Sequence, residues 1–226
     1  MDHVPLLFAE SVVRLIYVNS LASLRDSRSR LFGKVSRSLW EKRLYVTLYV
    51  VYNPAARTFY YCLTSRIYGS TGSATAYNYD PADQRFVYYF EVKLLEKKSS
   101  VGNVDATWTT ATPSYPTFLK MLRTPFNRTL LRMDVECPEL LKLLPDYYTF
   151  NYISAYDYDD VLDAIIQRSQ ACGRLERLDC KEFFKKHGME ASIAWILTNK
   201  RLRMISYYLI ENPASVRSAL NSIGVQ

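Results

Sequence analysis

The alternation of apolar and polar positions changes character twice along the chain. Over residues 6–18 the side chains Phe8, Val12, Leu15 and Ile16 recur at helical spacing. Pro5 precedes them at a place where a first helical turn tolerates a missing N–H. A second helix is predicted around 21–25 and a third over 34–42, ending in Trp40, with the polar run 26–30 as connector. From Leu44 the pattern becomes almost wholly β-branched, aromatic or aliphatic through Tyr52. Asn53-Pro54 supplies a turn and 58–64 continues as a second strand, so the pair reads as a hairpin. Small polar residues over 69–76 read as a loop, Asp80-Pro81 as another turn, and 85–95 as a strong strand.

A second rhythm then begins. Short β-like segments fall at 105–110, 129–135, 149–155, 174–179 and 201–207, with starts 24, 20, 25 and 27 residues apart. The gaps hold helical patterns at 115–122, 138–144, 159–170 and 181–197, and Asn212-Pro213 opens a last helix through Leu220. Val161, Leu162, Ile165 and Ile166 form one apolar helical face. Units of this length cannot bury their own apolar faces and must stack on neighbours, as leucine-rich-repeat-like strand–helix units do. The right-handed crossover rule makes their strands parallel. Leu175 to Cys180 resembles the strand part of such a repeat, but the asparagine ladder is missing and the spacing is irregular. The fold class is therefore mixed α/β: a helical module over 1–43, then a recognition domain over 44–226. A short irregular solenoid and a closed α/β sandwich both fit the second part.

Composition narrows the chemistry. Of 226 residues, 49% are hydrophobic and 23% charged, which excludes wholesale disorder. There are 7 glycines, too few for a fold built on glycine-rich phosphate loops, and 2 histidines, which limit acid–base and zinc chemistry. The net charge of +7 is uneven: +4 over 1–43, +4 over 44–128, −5 over 129–179 and +4 over 180–226. An acidic stretch of that size interrupts any continuous basic surface. The opening has no basic n-region and no apolar run reaches membrane length, so neither a secretory signal nor membrane contact is expected. Cys62, Cys137, Cys172 and Cys180 are scattered, as suits reduced thiols in a cytoplasmic or nuclear protein.

Motifs for catalysis or metal binding are absent, and no cofactor is expected. Cys172, Cys180 and His187 are spaced by 8 and 7 residues with no fourth ligand, so they read as structural. Asp157 to Asp160 reads as a helix cap rather than a cation site, because Asp is favoured at helix starts. Tyrosine is the unusual quantity. Ten of the 19 lie between residues 45 and 89, where Tyr45 and Tyr49 share one strand face and Tyr61 and Leu63 another. Packing in a sheet accounts for many of them. An aromatic recognition face assisted by Arg57, Arg66 and Arg85 is the alternative, and would suit nucleic acid. Tyr147, Tyr148, Tyr152, Tyr156 and Tyr158 form a second group in the acidic stretch.

The opening carries a resemblance. Val4-Pro5, the apolar series Phe8, Val12, Leu15-Ile16, the stretch Leu21-Ala-Ser-Leu24-Arg25 and then Val35-Ser-Arg-Ser-Leu-Trp40 together resemble a degenerate F-box. The layout that follows resembles the expanded F-box-like families of nematodes. The resemblance implies a non-enzymatic substrate-recruiting subunit of a cullin–RING ubiquitin ligase, with an Skp-type adaptor and a protein target as partners. On that basis Pro5, Leu6, Val12, Leu15 and Ile16 would contribute to adaptor docking, and Leu24, Val35 and Trp40 would pack the helical module.

Overall fold

Two uninterrupted runs of β-formers build the hairpin β1 (Leu44–Asn53) and β2 (Thr58–Ile67), paired antiparallel in register from Leu44↔Ile67 to Asn53↔Thr58. Between them, Asn53 Oδ1 accepts from the Ala56 N–H at 3.3 Å and Arg57 takes the left-handed φ of 50° that closes the turn. The computed structural model describes residues 5–15, 30–67, 73–101, 107–188 and 204–205. Ahead of the hairpin lie α1 (Leu6–Leu15) and α2 (Arg30–Glu41). After it come β3 (Thr75–Ala76), β4 (Val87–Leu94), β5 (Thr109–Ala111), α3 (Pro116–Arg123) and β6 (Arg128–Met133). The chain continues through α4 (Pro138–Leu141), β7 (Tyr152–Ala155), α5 (Asp160–Ala171), β8 (Arg177–Asp179), α6 (Lys181–His187) and β9 (Met204–Ile205).

All these strands join one mixed sheet in the order β3-β2-β1-β4-β6-β7-β8-β9, with β5 also on β2. From β1 onward along this order every neighbour is parallel, and after β6 each strand is laid down beside the one before it in the chain. The strand over 85–95 therefore opens the parallel series. The segment predicted over 105–110 does not. It contributes β5, which runs antiparallel to β2 on the far side of the hairpin, because β4 already occupies the growing edge of β1.

Register explains where the core lies. Side chains of one strand alternate between faces, so the partners Leu63, Leu48, Val92, Leu131, Ile153 and Leu178 form a single aliphatic row across six strands. Helical residues join the same buried cluster: Phe118 and Met121 of α3, Leu140 of α4, Ile165 and Ile166 of α5, and Phe183 of α6. The helices thus cover that face. Phe118 is fully buried and packs on Phe59 and Tyr61 with ring centroids 5.4 and 5.1 Å apart.

Polar groups buried between successive units are matched. Asn151 accepts from the Thr129 N–H at 3.1 Å and donates to the Arg174 carbonyl at 3.1 Å, tying the starts of β6 and β8 through the approach to β7. Thr129 donates to the Thr149 carbonyl at 2.6 Å, and Ser169 accepts from the Phe150 N–H at 3.0 Å. At α5, Asp159 Oδ1 accepts from the Leu162 N–H, as its place in the acidic string predicted. The helix predicted over 181–197 is described only to His187, followed by Gly188 at φ 78°, a backbone conformation that favours glycine. The helices predicted at 21–25 and 212–220 lie outside the described residues.

A second, smaller cluster holds Ala9 and Val13 of α1 against Val35 and Leu39 of α2, with Leu31, Phe32 and Phe86 packed on it. The buried stripe of α1 is not the expected one. Ala9 and Val13 are fully buried, whereas Phe8 is 56% exposed. The small side chains at that i, i+4 pair let the two helices approach, and the larger Phe8 is left outside.

Removing the ring in Phe118→Ala should lower the unfolding free energy by about 3–5 kcal/mol, measured by urea titration. Asp159→Ala should cost about 1 kcal/mol through loss of the cap. Equal effects of the two substitutions would contradict this account of the core.

Candidate functional site

The face of the sheet opposite the helices carries a different population of side chains. Three rows cross it in register. The first runs Arg66, Tyr45, Tyr89, Arg128; the second Thr64, Thr47, Glu91, Leu130, Tyr152, Arg177; the third Cys62, Tyr49, Lys93, Arg132, Ser154, Asp179. None of these residues belongs to the main apolar cluster. Most are half-buried, and Arg66 is exposed. The pattern is tyrosine interleaved with arginine.

Guanidinium groups lie on rings throughout. Arg66 sits 4.7 Å from the Tyr45 ring centroid and Arg177 4.8 Å from that of Tyr152. Arg128 lies 5.7 Å from Tyr89. Tyr45 and Tyr89 are themselves 5.6 Å apart. Stacked in this way an arginine is held by its ring.

Glu91 is the centre of the face and only 6% exposed. Its Oε2 accepts from the Tyr45 hydroxyl at 3.1 Å and from the Thr47 hydroxyl at 3.2 Å. Its Oε1 faces Arg132 Nε at 3.5 Å as an ion pair, and neither of these two atoms has a hydrogen-bond partner. A buried carboxylate is costly unless paired and hydrogen-bonded, and here both conditions are met by side chains from the two strands that flank β4. Burial, and next the Glu91 charge, push the Tyr45 hydroxyl far above the ordinary phenol range, and the same two causes raise Tyr49. At the margins Arg128 pairs with Glu176 at 3.0 Å and Lys93 with Asp134 at 3.9 Å.

Of the three arginines expected to assist a recognition face, Arg57 and Arg66 do not converge. Arg57 lies at the hairpin tip and Arg66 at the other end of β2, roughly 30 Å away at the rise of an extended strand. Arg85 lies in the 3-10 turn Pro81–Phe86, and its side chain is outside the described residues. Arg128, Arg132 and Arg177 take their places on the face. Their signal was present in the alternation of the later strands, where Arg128 and Arg132 flank Leu130 at period two.

Cys180 is buried and Cys172 exposed. His187 Nε2 lies 2.8 Å from the Tyr158 hydroxyl and 3.6 Å from Asp163. Among the described residues no group of His, Cys, Asp and Glu is placed to hold a metal ion. A cavity of about 460 Å³ opens beside β2 between β3 and β5, lined by Tyr61, Leu63, Tyr77, Tyr79, Thr109 and Met121 among others. No helix among the described residues is long and apolar enough to cross a membrane.

The residues expected at an adaptor interface divide. Pro5 and Leu6 are exposed, Val12 is half-buried and Val35 is buried against α1. Leu15 and Trp40 lie in α1 and α2, with side chains outside the described set, and Ile16 and Leu24 lie outside the described residues altogether. Leu6 and Phe8 of α1 are 53% and 56% exposed.

Burial sets the alkaline limit of the fold. It pushes the Cys62, Cys137 and Cys180 thiols from 9.0 up to about 11, and with Asp83 it pushes Tyr77 up to about 12. The unfolded chain therefore loses these protons first, and the folded state binds more protons as pH rises above about 9. Stability should be level below that pH and fall steadily towards about 11, which urea midpoints across the range would check. In Glu91→Gln the Tyr45 hydroxyl should ionise at lower pH than in the parent, followed by NMR of ring-labelled tyrosine. An unchanged Tyr45 titration would show that Glu91 carries no charge beside it. No family model, curated protein or solved structure matches this chain.

Proposed function

We propose that the chain is a non-enzymatic protein-interaction module, resembling a substrate-recruiting subunit of a cullin–RING ubiquitin ligase. In this role the helical pair α1–α2 docks an Skp-type adaptor and the sheet presents a target. The observation that carries the proposal is the division of the sheet: one face is closed by helices, while the other presents tyrosine and arginine over six strands. A broad face of aromatic and arginine side chains is the composition that favours macromolecular contact over a small-molecule pocket. Adaptor docking draws on Leu6 and Phe8, which stay exposed while Ala9 and Val13 hold α1 to α2.

The mechanism is proximity. A chain that holds a target beside a ubiquitin-charged enzyme raises its effective concentration and performs no bond chemistry of its own. Such a role belongs in the cytoplasm or nucleus. Nucleic-acid binding is the second reading and draws on the same tyrosines and arginines. It is disfavoured because the chain's own guanidinium groups already lie against Tyr45, Tyr89 and Tyr152, where bases would stack.

Purified protein should capture an Skp-type adaptor, and the double substitution Leu6→Glu with Phe8→Glu should weaken that capture by about tenfold or more while leaving the circular dichroism unchanged. No capture by the parent protein, or equal capture by the double variant, would sink the adaptor role.

A further inference from the structure

We infer that the open face of the sheet receives an acidic, extended segment of a protein partner, with carboxylates seated on Arg66 and Arg177. This rests on the interaction role proposed above and names the chemistry of the target. The argument starts from which cations the face has already used. Arg132 is paired with Glu91, Arg128 with Glu176 and Lys93 with Asp134. Arg66 and Arg177 each lie against an aromatic ring and, among the described residues, neither has a carboxylate within ion-pair distance. Arg177 Nε is buried and has no hydrogen-bond partner. Asp179 stands on the same face of β8, two residues on, at the end away from Arg66.

Spacing then sets the shape of the occupant. Arg66 is on β2 and Arg177 on β8, five strand intervals apart in the sheet order. At about 4.8 Å per interval this is roughly 24 Å. An extended peptide covers that distance in about seven residues. Between the two arginines such a segment would cross the row of Tyr45, Tyr89 and Tyr152. Glu91 lies under this path without opposing it. Its charge is balanced by Arg132, and its other oxygen is occupied by Tyr45 and Thr47.

Ring-held guanidiniums suit carboxylates, which take two parallel N–H donors from one arginine. They suit single-stranded nucleic acid less, since base stacking needs an open ring and these rings are covered.

The test is fluorescence anisotropy with the full chain and three labelled probes: a deca-glutamate peptide, a decauridylate RNA and a deca-lysine peptide. Deca-glutamate should bind and deca-lysine should not. Arg66→Glu and Arg177→Glu should each weaken deca-glutamate binding by about tenfold, whereas Arg57→Glu at the hairpin tip should leave it unchanged. Arg177→Gln, which removes the charge without reversing it, should give a smaller loss in the same direction with the fold retained by circular dichroism. Absence of binding would overturn the proposal, and so would equal weakening by Arg57→Glu, which would show only the general attraction of a basic protein. Tighter binding of decauridylate with the same dependence on Arg66 and Arg177 would replace the peptide with nucleic acid. Adaptor capture through Leu6 and Phe8 uses none of these arginines. Its survival when peptide binding fails would overturn the sheet-face assignment alone, and the reverse result would overturn the adaptor role alone.

Discussion

One-sided burial of a parallel sheet is the constraint on which the rest depends. A strand turns alternate side chains to opposite faces, so a row such as Leu63, Leu48, Val92, Leu131, Ile153 and Leu178 can be dry only if the whole set stays in register. A slip of one residue in any strand would bring the arginines and Glu91 to the helix side and take the aliphatic row out of it. The helices add the other half of the constraint. Phe118, Ile165, Ile166 and Phe183 reach the same face, and the opposite one is left to polar and aromatic groups.

That opposite face is ordered without being apolar. Its centre is Glu91, satisfied by Tyr45, Thr47 and Arg132 from the strands on either side. A buried ion pair of this kind contributes little net stability, because desolvation opposes the attraction. It does, however, punish any register that leaves the carboxylate alone. Polar satisfaction on one face and aliphatic packing on the other therefore select the same alignment. Asn151 and Ser169 repeat the principle between units, where the backbone would otherwise hold unmatched groups.

Much of the architecture was legible in the chain. The hairpin, the strand before Leu95 and the later strand–helix alternation all carried strong periodic signals, and Asp159 announced the start of α5. Two features were read differently. The β5 strand has a pattern like its neighbours, and its place across the hairpin depends on which edge of β1 was already taken. In α1 the larger apolar residues suggested the buried stripe, whereas close approach to α2 selected Ala9 and Val13. The candidate site was legible in its residue types and not in its membership. Tyr45, Tyr49 and Arg66 could be placed on one face, while Arg57 fell at the wrong end of the hairpin.

By itself the sequence determined that this is a mixed α/β chain with a sheet rich in tyrosine and little histidine or glycine. Those properties are local, set by side-chain period and turn chemistry. The tertiary structure alone decided that Arg128, Arg132 and Arg177 would join Tyr45 and Glu91 across strands far apart in the chain. Parallel pairing carries no short-range signal. Its register emerges only when helices bury one face of the whole sheet at once.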